Sequence, residues 1–245
     1  MLNRKLNIVF LFLLIFGGTV LEAQTAETLL QKMDELMSAP KDKQAIVKIV
    51  LTDKSGKEKI REASLKEKGR FKKLYRYTKP EKQAGISTLS LPDDKMWLYM
   101  PAFGNPIKIT LLSKSQTFTG TDFSYEDMSG RSYSERYTPK LVESINPKIY
   151  LLELIPKSKK SKYSKIFLYL DKIQYYPVKL EYFNRNKIFS KVATYEYAKK
   201  GNYWYAKEVL MVDVKKDHST AIFMSDVIFD QGIDDKEFLV ENLKQ

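Results

Sequence analysis

From about residue 44 onward the chain alternates apolar and polar residues, run after run. A period of two marks a strand with one buried face. Residues 45–51 form the first run, residues 53–56 a turn, and a second run begins at Lys57. Residues 70–77, 86–91, 96–100 and 107–112 follow, each bounded by Pro, Asp or Gly. The second half is more regular, with runs at 165–170, 178–183, 187–197, 203–214 and 220–229. Residues 184–186, 199–202 and 216–219 turn the chain between the last four. In the final run Ala221, Phe223, Ser225, Val227 and Phe229 are expected on one face, and Ile222, Met224, Asp226, Ile228 and Asp230 on the other. A sheet of about ten to eleven strands does not stay flat; it curls into a barrel or part of one. Its outer positions carry Lys, Glu, Arg and Asp, so the outside faces water, unlike that of a membrane barrel. The inner face, rich in Ile, Leu, Phe, Tyr and Val, is filled by its own side chains or covered by a helix over a cavity.

Two helical segments flank the strands. Residues 25–37 place Leu29, Leu30, Met33, Leu36 and Met37 on one stripe, with Thr25 or Thr28 as the cap and Pro40 as the stop. Residues 233–243 read as a short terminal helix capped by Asp234. No linker or internal repeat divides the 245 residues. Residues 157–165 form the one lysine run, read as a solvated hairpin tip.

The first 23 residues read as an export signal. Arg4 and Lys5 precede an apolar run at 6–16, then Gly17, Gly18 and the small residue Ala23. That run is about half the ~20 residues of a spanning helix. Cleavage after Ala23 is expected, giving one domain at 24–245 in the periplasm. The chain has no Cys and one His, so disulfide scaffolds, thiol nucleophiles, zinc fingers and His-rich metal sites are excluded. An exported chain without disulfides must rely on its core. At about 220 residues it buries roughly 70% of its unfolded surface. The net charge of +12 falls to +11 once the signal segment is removed. A basic exported protein is expected to meet anionic lipid headgroups or an acidic partner rather than nucleic acid.

The most distinctive stretch runs through Met96, Trp97, Leu98, Tyr99, Met100 and Pro101 to Phe118, Gly120, Asp122, Phe123, Ser124, Tyr125, Glu126 and Asp127. Pro101 stops a strand, Gly120 permits a turn that a β-carbon resists, and Ser124 with Asp127 has the form of a capping box. Phe118 and Phe123 bracket the turn. This pattern resembles the LolA-like outer membrane lipoprotein-sorting family, whose layout matches the whole mature chain. The resemblance implies an unclosed antiparallel β-barrel with an N-terminal helix and short helices as a lid over an apolar cavity. It further implies a periplasmic carrier of an acylated lipoprotein or another lipid, acting by lid opening without covalent chemistry or any cofactor. Partners would be an inner-membrane donor transporter, an outer-membrane acceptor and, transiently, the membrane. In such carriers an Arg on an early strand latches the lid. Arg61, Arg70 and Arg76 all qualify by position, and the sequence does not choose among them. Carrying a tail of about fifteen CH₂ groups through water exposes on the order of 12 kcal/mol of apolar surface, which an enclosed cavity offsets.

The expected cavity residues are Met33, Met37, Trp97, Tyr99, Phe118, Phe123, Ile166, Leu168, Leu170, Phe223 and Val227. Met adapts to chains of variable shape, though Met33 and Met37 equally suit plain core filling. Pro101, Gly120, Asp122, Ser124 and Asp127 are expected to shape the motif. Catalysis has little support. Asp217, His218 and Ser219 are adjacent in a turn and cannot converge on one atom. Asp122, Glu126 and Asp127 fit capping better than acid–base work. No phosphate-binding or nucleophile-elbow motif occurs. The rival reading is an exported interaction or sensor domain of the same fold, binding an envelope protein.

Overall fold

The structure is a computed structural model, which describes residues 24–110 and 116–244. The proposed signal segment lies outside these residues. The described chain opens with α1 (Ala26–Met37), capped by the first of the two threonines the sequence offers: the Thr25 side chain accepts from the Thr28 amide. Then come β1 (Asp42–Thr52), β2 (Glu58–Lys68), β3 (Lys72–Lys79), β4 (Ser87–Leu91), β5 (Lys95–Tyr99) and β6 (Ile107–Lys108). After a crossover, α2 (Tyr133–Arg136) leads into β7 (Tyr137–Val142), β8 (Ile149–Pro156), β9 (Tyr163–Asp171) and β10 (Pro177–Asn184). The last strands are β11 (Phe189–Lys200), β12 (Tyr203–Asp213) and β13 (His218–Phe229), followed by two short 3₁₀ turns.

All thirteen strands join one antiparallel sheet in the order β6-β5-β4-β3-β2-β1-β13-β12-β11-β10-β9-β8-β7. The sheet is not closed, because β6 and β7 lie at opposite edges. The expected ten to eleven strands therefore become thirteen; the additions are β7 and β8. β7 carries Pro139, which cannot donate to a ladder and is tolerated because β7 is an edge strand. β8 reads Ile-Tyr-Leu-Leu-Glu-Leu-Ile, an apolar run without clean alternation.

Consecutive strands at opposite edges mean that the chain crosses from one edge to the other between β6 and β7, and the second half of the motif, residues 118–127, sits in this crossover. Its Phe118, Phe123 and Tyr125 join α1 residues Leu29, Leu30 and Met33 in the main core. The same core takes Val47, Ile49, Leu65, Tyr75, Tyr77, Met96, Leu152, Ile166, Leu168, Leu170, Leu180 and Ala193 from the inner face of the sheet.

Two departures follow from local geometry. The terminal segment does not cover the inner face. Ile233, Phe238 and Leu243 pack on the opposite face against Leu74, Leu89, Trp97 and Tyr99. Asp42 fixes that segment by accepting from the amides of Gln231, Gly232 and Ile233 at 2.8, 2.8 and 3.2 Å. Second, β13 changes face partway. The β1–β13 register shifts between Gln44 and Ile46, and Asp226 adopts φ 50. This is a β-bulge, which reverses the alternation beyond it. Ile222 and Met224 before the bulge, and Val227 and Phe229 after it, pack toward the main core. Phe223 is left out of that core, contrary to the expected face.

Candidate ligand cavity beneath the N-terminal helix

The inner face of the sheet has two ends of different character. At one end the crossover fills the sheet. Gly120 takes φ 79 and Thr119 φ 47, so the chain reverses sharply there. The turn is then bonded from several strands. Arg61 on β2 donates to the Thr119 carbonyl at 2.6 Å, and the Tyr77 hydroxyl on β3 pairs with the Thr119 hydroxyl. Asp122 is 2% exposed, and its carboxylate accepts from Thr220 at 2.7 Å and pairs with His218 Nδ1 at 2.7 Å, both on β13. Its amide donates to the Thr220 hydroxyl, and its carbonyl accepts from Lys191 on β11. Burial, with nearby Lys162, pushes the Lys191 ammonium down to about 8 against the pull of Asp127, Asp213 and Asp122. Phe118 sits edge-on to Tyr75 and Tyr125, at 5.7 and 5.3 Å.

One residue pair here escaped the sequence reading. His218 and Asp122 are 96 positions apart, and only the crossover brings them together. His218 is the first residue of β13 rather than a turn residue, and Ser219 follows it on the opposite face of the strand. The Asp217-His218-Ser219 string therefore does not converge.

The capping box forms as expected. The Ser124 amide donates to Asp127 at 2.8 Å and the Asp127 amide to the Ser124 hydroxyl at 3.2 Å. The Ser124 hydroxyl at 2.7 Å and Tyr163 on β9 at 2.8 Å add a second and a third donor to Asp127. Glu126 accepts from Ser161 at 2.9 Å and from the Lys162 amide at 3.2 Å, tying the crossover to the lysine-rich β8–β9 tip.

Toward the other end, a cavity of about 280 Å³ opens between the sheet, α1, α2 and the crossover. Val47, Leu65, Phe123, Val209, Ile222 and Met224 give it apolar walls. Tyr75, Tyr133, Tyr182, Tyr195, Asp127 and Arg136 also line it, so the expected apolar cavity is lined by phenols and charges as well. A second cavity of about 110 Å³ shares Met37, Tyr195 and Met224 with it and adds Trp204 and Tyr205. At the shared rim Glu67 pairs with Lys43 at 2.6 Å and Lys73 at 2.8 Å. Burial pushes the Glu67 carboxyl up, but these two ammonium groups outweigh it and hold it at about 2. Asp34 of α1 caps α2 by accepting from the amides of Tyr133 and Ser134 at 2.9 and 2.8 Å, which fixes the helical cover.

Of the expected cavity residues, Met37 and Phe123 line this space. Met33, Phe118, Ile166, Leu168, Leu170 and Val227 are buried in the surrounding core. Trp97 and Tyr99 lie on the outer face under the terminal segment. Of the three early-strand arginines, Arg61 reaches the crossover, Arg70 lines the cavity, and Arg76 donates to the Asn242 carbonyl on the outer face. Sequence reasoning missed the tyrosines and Arg136. Alternation around Tyr75 and Tyr195 could have placed them on the inner face; nothing in the sequence marked Arg136.

Among the described residues no helix is long and apolar enough to cross a membrane. A family model described as an uncharacterized protein matches residues 69–245. No curated protein matches the chain. Three solved structures are similar across nearly the whole described fold. A domain from Vibrio parahaemolyticus named for outer membrane lipoprotein sorting is 28% identical, with a TM-score of 0.83 over 90% of this chain and 98% of that one. A DUF1329 family protein from Desulfovibrio piger is 22% identical, with a TM-score of 0.82 over 89% of this chain and 97% of that one. A LolA superfamily protein from Nitrosomonas europaea is 23% identical, with a TM-score of 0.75 over 89% and 98%. The unclosed sheet under an N-terminal helix and these likenesses agree on a LolA-like fold, similar to an outer membrane lipoprotein-sorting domain, and the chain belongs to the family of uncharacterized proteins whose model matches residues 69–245.

Proposed function

We propose that this protein is a periplasmic carrier that shields the acyl chain of a lipid or lipoprotein on its way toward the outer membrane. The cavity of about 280 Å³ between the sheet and α1 is the observation that carries this reading. A sheet filled by its own side chains would leave no such space. The adjoining cavity of about 110 Å³ extends it to the rim at Met37 and Trp204, giving a chain a way in. Transfer involves no covalent step: α1 and the crossover part, the chain enters, and the apolar walls replace water. An inner-membrane donor, an outer-membrane acceptor and a brief membrane contact complete the proposed route.

The test is purification of the mature protein from envelope extract under native conditions, followed by lipid mass spectrometry after denaturation. A stoichiometric acylated species is expected. A protein that comes through empty and takes up no acyl-chain probe in vitro overturns the carrier reading in favour of an interaction domain.

A further inference from the structure

Two residues that line the cavity each hold a buried hydrogen-bonding group with no partner among the described residues. The Tyr75 hydroxyl is one; its side chain is 4% exposed. The other is Nε of Arg136, a residue 9% exposed. Both residues line the same cavity of about 280 Å³. The surroundings of Arg136 sharpen the point. Its guanidinium lies over the rings of Tyr133 and Tyr137, at 4.6 and 5.2 Å, and Nη1 donates to the Glu126 carbonyl at 3.0 Å. Among the described residues no carboxylate stands within ion-pair distance of it. Arg stays protonated at any physiological pH. The Glu126 and Asp127 carboxylates act on it from beyond ion-pair distance, and native proteins rarely leave buried donors unmade. Tyr75, held between the rings of Tyr77 and Phe118, keeps its proton because burial pushes the phenol well up, so it too is a donor.

The neighbouring polar groups are already spoken for. Asp127 accepts from Ser124 and Tyr163, Asp34 caps α2, and Glu67 is held by two lysines. The donors left over therefore call for an acceptor from outside the protein. The apolar walls at Phe123, Val209, Ile222 and Met224 call for a hydrocarbon in the same space. The volume of about 280 Å³ sits just below the range of small-molecule sites, roughly 300–1,000 Å³, which suits one chain rather than several.

We propose that the cavity binds a single-chain anionic amphiphile head-inward, its carboxylate or phosphate accepting from Arg136 and Tyr75 and its chain lying along Phe123, Val209, Ile222 and Met224. This rests on the carrier reading and specifies its ligand class. The test measures binding of dodecanoate, dodecyl phosphate, dodecanol and inorganic phosphate to the mature protein by calorimetry. The two anionic amphiphiles are expected to bind roughly tenfold or more tighter than dodecanol, as a charge-assisted contact requires. Arg136→Met is expected to bring dodecanoate down to the affinity of dodecanol while leaving dodecanol unchanged. Tyr75→Phe removes one oxygen without disturbing the ring packing and is expected to weaken dodecanoate alone, about threefold, by loss of one hydrogen bond. It serves as the decisive variant if Arg136→Met fails to fold. Equal affinity for dodecanoate and dodecanol overturns the head-inward site but leaves the carrier reading intact. Inorganic phosphate binding as tightly as dodecyl phosphate overturns the amphiphile in favour of a free anion. Failure of all four to bind overturns both readings.

Discussion

The two ends of the inner face are built from similar residues yet end in opposite states. At the crossover end every polar group of Asp122 is matched: carboxylate to His218 and Thr220, amide to Thr220, carbonyl to Lys191. At the cavity end Tyr75 and Arg136 are equally buried but keep unmatched donors. Burial alone thus does not say what an inner-face polar residue does. A matched group fixes the crossover in place across the sheet, whereas an unmatched one beside a void is the basis of the proposed head-group site.

Substitutions at the crossover end are expected to be the most destabilising. Phe118→Ala leaves a hole beside Tyr75 and Tyr125 and is expected to cost about 4 kcal/mol. In a domain of this size that lowers the melting temperature by roughly 8–16 °C in a thermal scan. At the rim, acid should act through Glu67. Its carboxyl is held at about 2 in the folded protein against an ordinary 4.5. The stability it contributes is complete above 4.5 and is lost as the pH falls from there through 2. The loss is up to about 3 kcal/mol, measurable by denaturant melts at pH 6 and 3. Glu67→Gln is expected to flatten that dependence. Asp122→Asn keeps the shape of the side chain but weakens the bonds to His218 and Thr220, at about 2 kcal/mol by the same melts.

Two smaller effects divide the ends more finely. Tyr77→Phe and Tyr75→Phe each remove one phenol oxygen from neighbouring inner-face positions of β3. The Tyr77 hydroxyl is bonded to Thr119, so its loss is expected to cost about 1 kcal/mol. The Tyr75 hydroxyl is unmatched in the empty protein, so its loss is expected to be neutral or slightly stabilising. If both variants lose the same stability, the contrast between the ends fails.

The sequence revealed those features that depend on near neighbours. Alternation located most strands, the Leu–Met stripe located α1, Pro101 ended β5, and the spacing of Ser124 and Asp127 predicted the reciprocal bonds that form. It did not reveal what the crossover brings together. β7 was hidden by Pro139 and β8 by an apolar run without clean alternation. One bulge at Asp226 moved Phe223 off the face that alternation assigned it. Trp97 and Tyr99 are expected at the cavity that the resemblance implies, but successive residues of a β-strand point to opposite faces. Met96 and Leu98 took the inner one. The pairing of Asp122 with His218, and the absence of any partner for Arg136 Nε, are properties of the assembled sheet, and local sequence carries no trace of them.

The chain's two tryptophans stand on opposite faces of the sheet, which gives the most direct test. Trp204 lines the cavity rim, and Trp97 is packed on the outer face beneath the terminal segment. Brominated dodecanoate quenches only a fluorophore that it can reach. In Trp97→Phe protein, where Trp204 alone emits, titration is expected to quench the emission saturably. In Trp204→Phe protein the emission of Trp97 is expected to stay constant over the same range. Quenching of Trp97 with Trp204 unaffected would put the chain on the outer face and contradict the account.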